Sequence, residues 1–160
     1  MTPAIEYAKK HNINYIVHEY KHDPNTSSYG LEASEKLAVL PKCVFKTLVL
    51  GEVDSQKLQQ SLAVAVVPVQ YEVNLKRFAK AMGWKKAALA PKDKVMRSSG
   101  YVIGGVSPIG QKRELPTIID DSAKPLDSMF VSAGKRGLEI ELGPQDLGLL
   151  THATYAEIRQ

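Results

Sequence analysis

A chain of 160 residues, 44% hydrophobic and 24% charged, is sized and composed for one globular domain with a core of its own. Its single cysteine, Cys43, excludes an internal disulfide and points to a reducing, cytoplasmic setting; residues 1–6 lack the basic and apolar pattern of a secretory leader and no apolar run reaches membrane-spanning length, so a soluble, cytosolic protein is expected. The net charge of +4, from 21 Lys and Arg against 17 Asp and Glu, is compatible with a polyanionic partner such as RNA but too small to establish one.

Thr2 before Pro3 reads as a helix cap, and the stripe Ala4, Tyr7, Ala8 predicts a short helix to about Lys10. Residues 13–20 alternate as a strand that is partly apolar on both faces, which predicts an interior position. A polar, turn-rich connection follows over 21–30, then a second helix over 32–38, ended by Pro41. Residues 44–50 read as a buried strand interrupted by one charge. Residues two apart share a face, so Lys46 stands between Val44 and Leu48 on an otherwise apolar surface. Such a lysine either snorkels at a sheet edge or points into a lined cavity.

Residues 62–69 supply an antiparallel partner for that strand. Asn74 caps a helix carrying Leu75, Phe78, Ala79 and Met82 inward, with Gly83 as its stop. A short strand over 85–89 and a short helix over 92–97 lead into the segment 100–111, GYVIGGVSPIGQ. Further strands are expected over 116–120, 128–132 and 138–142. The last alternates, placing Leu138, Ile140 and Leu142 inward and Glu139 and Glu141 on the opposite face. A final helix runs from Gly143-Pro144 to Leu150, and residues 153–158 add an edge strand. No repeat or linker divides the chain. Residues 1–160 therefore read as a single α+β domain, built on a curved, mixed, largely antiparallel sheet with surrounding helices.

The density of Gly100, Gly104, Gly105 and Gly110 in one segment has two explanations: tight turns with a bulge, or a main chain that a ligand approaches closely. The segment lacks the Gly-Lys-Ser/Thr ending of a nucleotide-binding loop. His11, His18, His22 and His152 are scattered, and with one cysteine they form no metal framework, so neither a metal nor a cofactor is expected. Ser107 lies in Val-Ser-Pro rather than in a nucleophile elbow, and a lone cysteine is more often a small buried hydrophobe than a nucleophile. A cation on an apolar strand, a loop rich in backbone amides, and Tyr20 and Tyr29 remain. That set suits binding a small polar group and stabilising negative charge that develops on oxygen.

Six stretches carry a resemblance that runs almost end to end: residues 2–4 (TPA), 22–24 (HDP), 45–48 (FKTL), 100–112 (GYVIGGVSPIGQK), 116–120 (PTIID) and 131–138 (VSAGKRGL). In this order they resemble the YbaK family of Cys-tRNA(Pro) deacylases, related to the editing domain of bacterial prolyl-tRNA synthetase. The resemblance implies removal of cysteine mistakenly esterified to proline tRNA, with the substrate's own thiol attacking its ester to release a thiolactone. It implies Lys46 as the essential cation and Tyr20, Tyr29, Gly104, Gly105, Ser132 and Glu139 as the substrate pocket. Lys112, Lys135 and Arg136 are candidate phosphate contacts, and tRNA(Pro) charged with cysteine and prolyl-tRNA synthetase are the implied partners. Glu139 stands where the family has aspartate, and Tyr29 where phenylalanine is common; both departures bear on selectivity. Alternatives are a deacylase for alanine or another small amino acid, and a noncatalytic tRNA- or synthetase-binding module.

Overall fold

Strand β3 (Leu62–Pro68) is buried at every position in the computed structural model, which describes residues 1–160, and the fold is arranged round it. It pairs antiparallel with β2 (Phe45–Glu52), placing Lys46 opposite Val67, as the alternation predicts. On its other edge β3 runs parallel to β5 (Thr117–Asp120). Adding β4 (Ala87–Leu89) beside β2 and β8 (Thr154–Ala156) beside β5 gives the five-stranded order β4-β2-β3-β5-β8. A second, antiparallel sheet has the order β1-β7-β6, from Tyr15–Glu19, Leu138–Leu142 and Met129–Lys135. The expected sheet is thus divided in two, and the parts meet where Val44 bridges Phe130.

The period of two along β3 builds two cores from one strand. Val64 and Val66 face the inter-sheet core with Phe45, Ile119, Met129 and Ile140. Ala63, Ala65 and Val67 face a second core against Phe78, beneath helix α3 (Leu75–Met82). Helix α1 (Pro3–Lys10) is tied to β6 through its cap: the Thr2 hydroxyl donates to the Ala133 carbonyl at 2.5 Å and accepts from the Ile5 amide at 3.3 Å. Asn74 caps α3 by accepting from the Arg77 amide at 2.9 Å.

Helix α2 (Tyr29–Leu37) begins earlier than the apolar spacing suggests. Glu32 is buried in its first turn, where its carboxylate receives His22 Nδ1 and the Asp23 amide, each at 2.7 Å, and Lys36 Nζ at 3.2 Å. Burial alone would raise the Glu32 pKa, but the bonds from Asp23, His22 and Lys36 outweigh it and hold the group ionised. The polar connection is therefore folded back onto the start of the helix. Helices α4 (Lys92–Ser99) and α5 (Pro144–Thr151) complete the layer, and no helix is long and apolar enough to cross a membrane.

Asp120 fastens the C-terminal segment to β5. It is fully buried and accepts from the Ile158 amide at 2.9 Å, the Arg159 amide at 3.1 Å and Arg159 Nη1 at 2.8 Å. Burial opposes ionisation, but bonds from Ser122, Ile158 and Arg159 hold the pKa below the ordinary range. Asp120→Ala leaves buried amides unpaired and is expected to destabilise the protein by about 2–4 kcal/mol in urea unfolding. A depressed pKa stabilises only above the unfolded value of about 3.9, and that contribution fades as pH falls toward the folded pKa. The gap between wild type and variant should accordingly close as the pH is lowered from about 5 to about 2.

Candidate active site

Beyond the Val44–Phe130 bridge the two sheets and α2 enclose a cavity of about 380 Å³. Strand β4 pairs with β2 only at Leu50, Gly51 and Glu52, so β2 from Phe45 to Val49 is left to border this space. That local gap brings Lys46 to the cavity. Its ammonium is partly shielded, and its one ion pair is with Glu72 at 3.9 Å, whose carboxylate is 79% exposed. An exposed pair of that length contributes little and yields readily to a competing anion.

Tyr20, Tyr29, Gly104, Ser132, Lys135, Arg136 and Glu139 line the same cavity as Lys46, with apolar walls from Phe45, Val49, Val69 and Val95. Ser132 and Glu139 are direct partners across β6 and β7. The Ser132 hydroxyl oxygen accepts from the Gly134 amide at 3.1 Å, leaving its proton for a ligand. The Tyr20 phenol is pushed up to about 12, by burial first and then by the negative fields of Glu139 and Glu32. It therefore stays neutral and hydrogen-bonding.

The two glutamates of β7 share a face but not an environment. Glu141 accepts from the Ser128 hydroxyl at 2.6 Å and His18 Nε2 at 2.9 Å, and the Ser128 bond foremost keeps its pKa low. Glu139 receives no hydrogen bond from any side chain or amide, and burial pushes it up to about 8. The face read as opposite the core is, at Glu139, a buried cavity wall. A carboxylic acid held neutral near pH 7 can both donate and accept in a site of this kind.

Not every expected residue joins the site. The Gly105 amide donates to the Val102 carbonyl at 3.0 Å, and the residue does not line the cavity, whereas Gly104 does. Lys112 lies at a separate cavity of about 260 Å³ with Arg113, Tyr7 and Thr117. Ser107 is fully buried, its Oγ accepting from the Ile109 amide at 3.2 Å, so it faces the core rather than the site. Cys43 sits in a 3-10 turn (Pro41–Cys43) and packs against the small cluster of Ala33, Val44, Val69 and Phe130. No three His, Cys, Asp or Glu side chains converge as a metal ion would require.

Thr47 and Lys92 also line the cavity, and the sequence pattern assigned neither of them to a site. The Thr47 hydroxyl is buried with no hydrogen-bond partner in the protein. Its position directly after Lys46, in a strand bordering the cavity along its edge, is the signal that could have found it.

Residues 23–148 match the model of the aminoacyl-tRNA editing domain. The chain is 35% identical over 158 residues to the "Putative Cys-tRNA(Pro)/Cys-tRNA(Cys) deacylase EbsC" of Enterococcus faecalis, covering 98% of this chain and 92% of that relative. It is 25% identical over 114 residues to the proline–tRNA ligase of Trichlorobacter lovleyi, which is 71% of this chain but 19% of the ligase. The crystal structure of "a putative trans-editing enzyme for prolyl tRNA synthetase" has the same fold, with a TM-score of 0.78 at 20% identity over 98% of this chain and 92% of that one. With the domain model spanning most of its length and a relative aligned nearly end to end, the chain belongs to the aminoacyl-tRNA editing domain family, of the YbaK type.

Proposed function

We propose that the chain is an aminoacyl-tRNA deacylase that removes cysteine from mischarged proline tRNA, acting in trans to prolyl-tRNA synthetase. The observation that carries the reading is a partly shielded lysine, Lys46, in a cavity whose lining hydroxyls, Ser28, Thr47 and Ser132, are hydrogen-bonded to no histidine or carboxylate that could activate them, while Ser107 is buried in the core and Cys43 packs elsewhere. The nucleophile is then supplied by the substrate. The thiol sulfur of the cysteinyl ester attacks the carbonyl carbon, a carbon–sulfur bond forms, and the bond to the ribose oxygen breaks. The thiol proton ends on that oxygen, giving a thiolactone and deacylated tRNA.

Lys46 Nζ faces the negative charge that gathers on the carbonyl oxygen, and the Gly104 amide is a second donor for it. Thiol and ester belong to one molecule, so the attack is intramolecular from the outset, and the cavity contributes by holding the cysteinyl side chain in the rotamer that brings sulfur to the carbonyl carbon. Tyr20, Tyr29, Ser132 and Glu139 bind the aminoacyl group, and Lys135 meets a phosphate of the tRNA end. The name of EbsC and the similarity to a proline–tRNA ligase support cysteine and proline tRNA as the two halves of the substrate.

The test is deacylation of tRNA(Pro) charged in turn with cysteine, serine, alanine and proline. Cysteine is expected to leave at least about a hundredfold faster than serine, whose hydroxyl is the poorer nucleophile, and a thiolactone should be trapped as product. Equal rates for cysteine and serine would exclude self-cyclisation. Preference for alanine would redirect the substrate, and failure on every ester with tRNA still bound would leave a noncatalytic binding module.

A further inference from the structure

Arg136 has the charge of a phosphate contact, yet its guanidinium is already engaged within the protein. Nη2 donates to the Ile103 carbonyl at 2.9 Å, and Cζ lies 4.4 Å from the centroid of the Tyr29 ring. These partners belong to different walls: Ile103 to the glycine-rich segment and Tyr29 to the first turn of α2, while Arg136 itself is at the tip of the β6–β7 hairpin. Three elements distant in sequence meet at one side chain, and all three line the cavity.

The paired glycines are what allow the meeting. Gly104 has φ +90, and a Cβ there would strike Arg136 Nε and lie 2.9 Å from Tyr29 Cε2. A Cβ on Gly105 would lie 3.0 Å from Lys135 Cα. The close approach that these glycines serve is that of the hairpin tip. Lys135, beside Arg136, is exposed and forms no ion pair, so it carries the charge that remains free for a polyanion.

We propose that Arg136 is a positioning residue: it pins the Tyr29 ring to the turn at residues 102–105, fixes the mouth of the cavity and thereby sets which aminoacyl group is held in reacting geometry. This deepens the deacylase reading and rests on it. A guanidinium can stack on a ring and donate in its own plane at once, which suits it to joining two walls. Loosening the mouth misplaces the ester, so the chemical step slows more than binding weakens. A phosphate contact would behave in the opposite way, weakening association of every tRNA alike and lowering its salt dependence.

Wild type, Arg136→Ala, Arg136→Lys and Lys135→Ala should be compared in steady-state deacylation of Cys- and Ala-tRNA(Pro), in binding of uncharged tRNA across a salt series, and in hydrogen exchange of the Gly105 amide. For Arg136→Ala, kcat on the cysteinyl ester is expected to fall about tenfold or more with KM changed less than about threefold, and the cysteine-over-alanine preference to narrow about tenfold. The salt slope should stay unchanged and Gly105 exchange should quicken at least about tenfold. Arg136→Lys should recover part of kcat. Lys135→Ala should make the log–log salt slope shallower by about 0.7–0.9. A raised KM with kcat intact in Arg136→Ala, a shallower slope in that variant, or unaltered Gly105 protection each overturns the proposal. If wild type turns over no ester, the deacylase reading falls by itself, and Gly105 exchange together with the salt slope still decides whether Arg136 holds the mouth.

Discussion

Replacing Lys46 by alanine is expected to slow deacylation about 10²–10³-fold while leaving the fold in place, which is the usual loss when one preorganised donor to a developing oxyanion is removed. The lysine is poised for that role by its surroundings. Phe45 before it is buried and Val67 opposite it is fully buried, so the ammonium emerges from apolar surface into a bounded cavity where water screens it less than at an open surface. Its contact with exposed Glu72 is too long and too well solvated to hold it back from a substrate. Glu72→Ala should therefore change the rate less than about threefold. Strand pairing uses the backbone, so Lys46→Ala should keep its cooperative unfolding, with a stability change within about 1 kcal/mol. Arginine should not substitute, because a planar guanidinium spreads its charge over three nitrogens and cannot concentrate it where the compact ammonium sits. Single-turnover kinetics on charged tRNA measure the effect directly, and a Lys46→Ala rate within about threefold of wild type would remove the lysine from the mechanism.

What the sequence made legible is what depends on local pattern. Alternation identified β2 and β3 and their antiparallel pairing, and Thr2 and Asn74 announced two helix starts through side chains that now cap them. It also left Lys46 between a sheet edge and a cavity, because the answer lies in another element. Strand β4 stops at the partner of Leu50, and only then is Lys46 left facing the cavity. The division into two sheets hangs on the non-local meeting of Val44 with Phe130, and the early start of α2 hangs on the burial of Glu32 against His22 and Asp23. The glycine-rich segment signalled close approach without saying of what. Lys112 directly follows that segment, yet the chain carries it to a different cavity.

The pairing of the two β7 glutamates on one face was legible too, but not which of them would find partners, and Glu139→Gln turns that difference into an expected gain of stability. Burial pushes the Glu139 carboxyl up to about 8, whereas in the unfolded chain it ionises near its ordinary value of about 4.3. Between those values the folded state holds a proton that the unfolded state has released, so stability declines as pH rises, by up to about 1.4 kcal/mol per pH unit. Below about pH 4 there is no penalty, and above about pH 8 it is complete at about 3–5 kcal/mol. Glutamine does not ionise. The variant's advantage over wild type should be near zero at about pH 4, grow through neutrality and level off above about pH 8, as read from urea unfolding at each pH. A difference that stays flat with pH, or a loss of stability that deepens with pH, would remove the buried-acid account of Glu139. Activity should move the other way, falling about tenfold or more, because an amide cannot take or give up the proton that a carboxyl exchanges with a bound aminoacyl group. A residue whose replacement stabilises the fold and impairs turnover has a role other than folding, and Glu139, buried without a hydrogen-bond partner beside Tyr20 and Ser132, is where both effects are expected together.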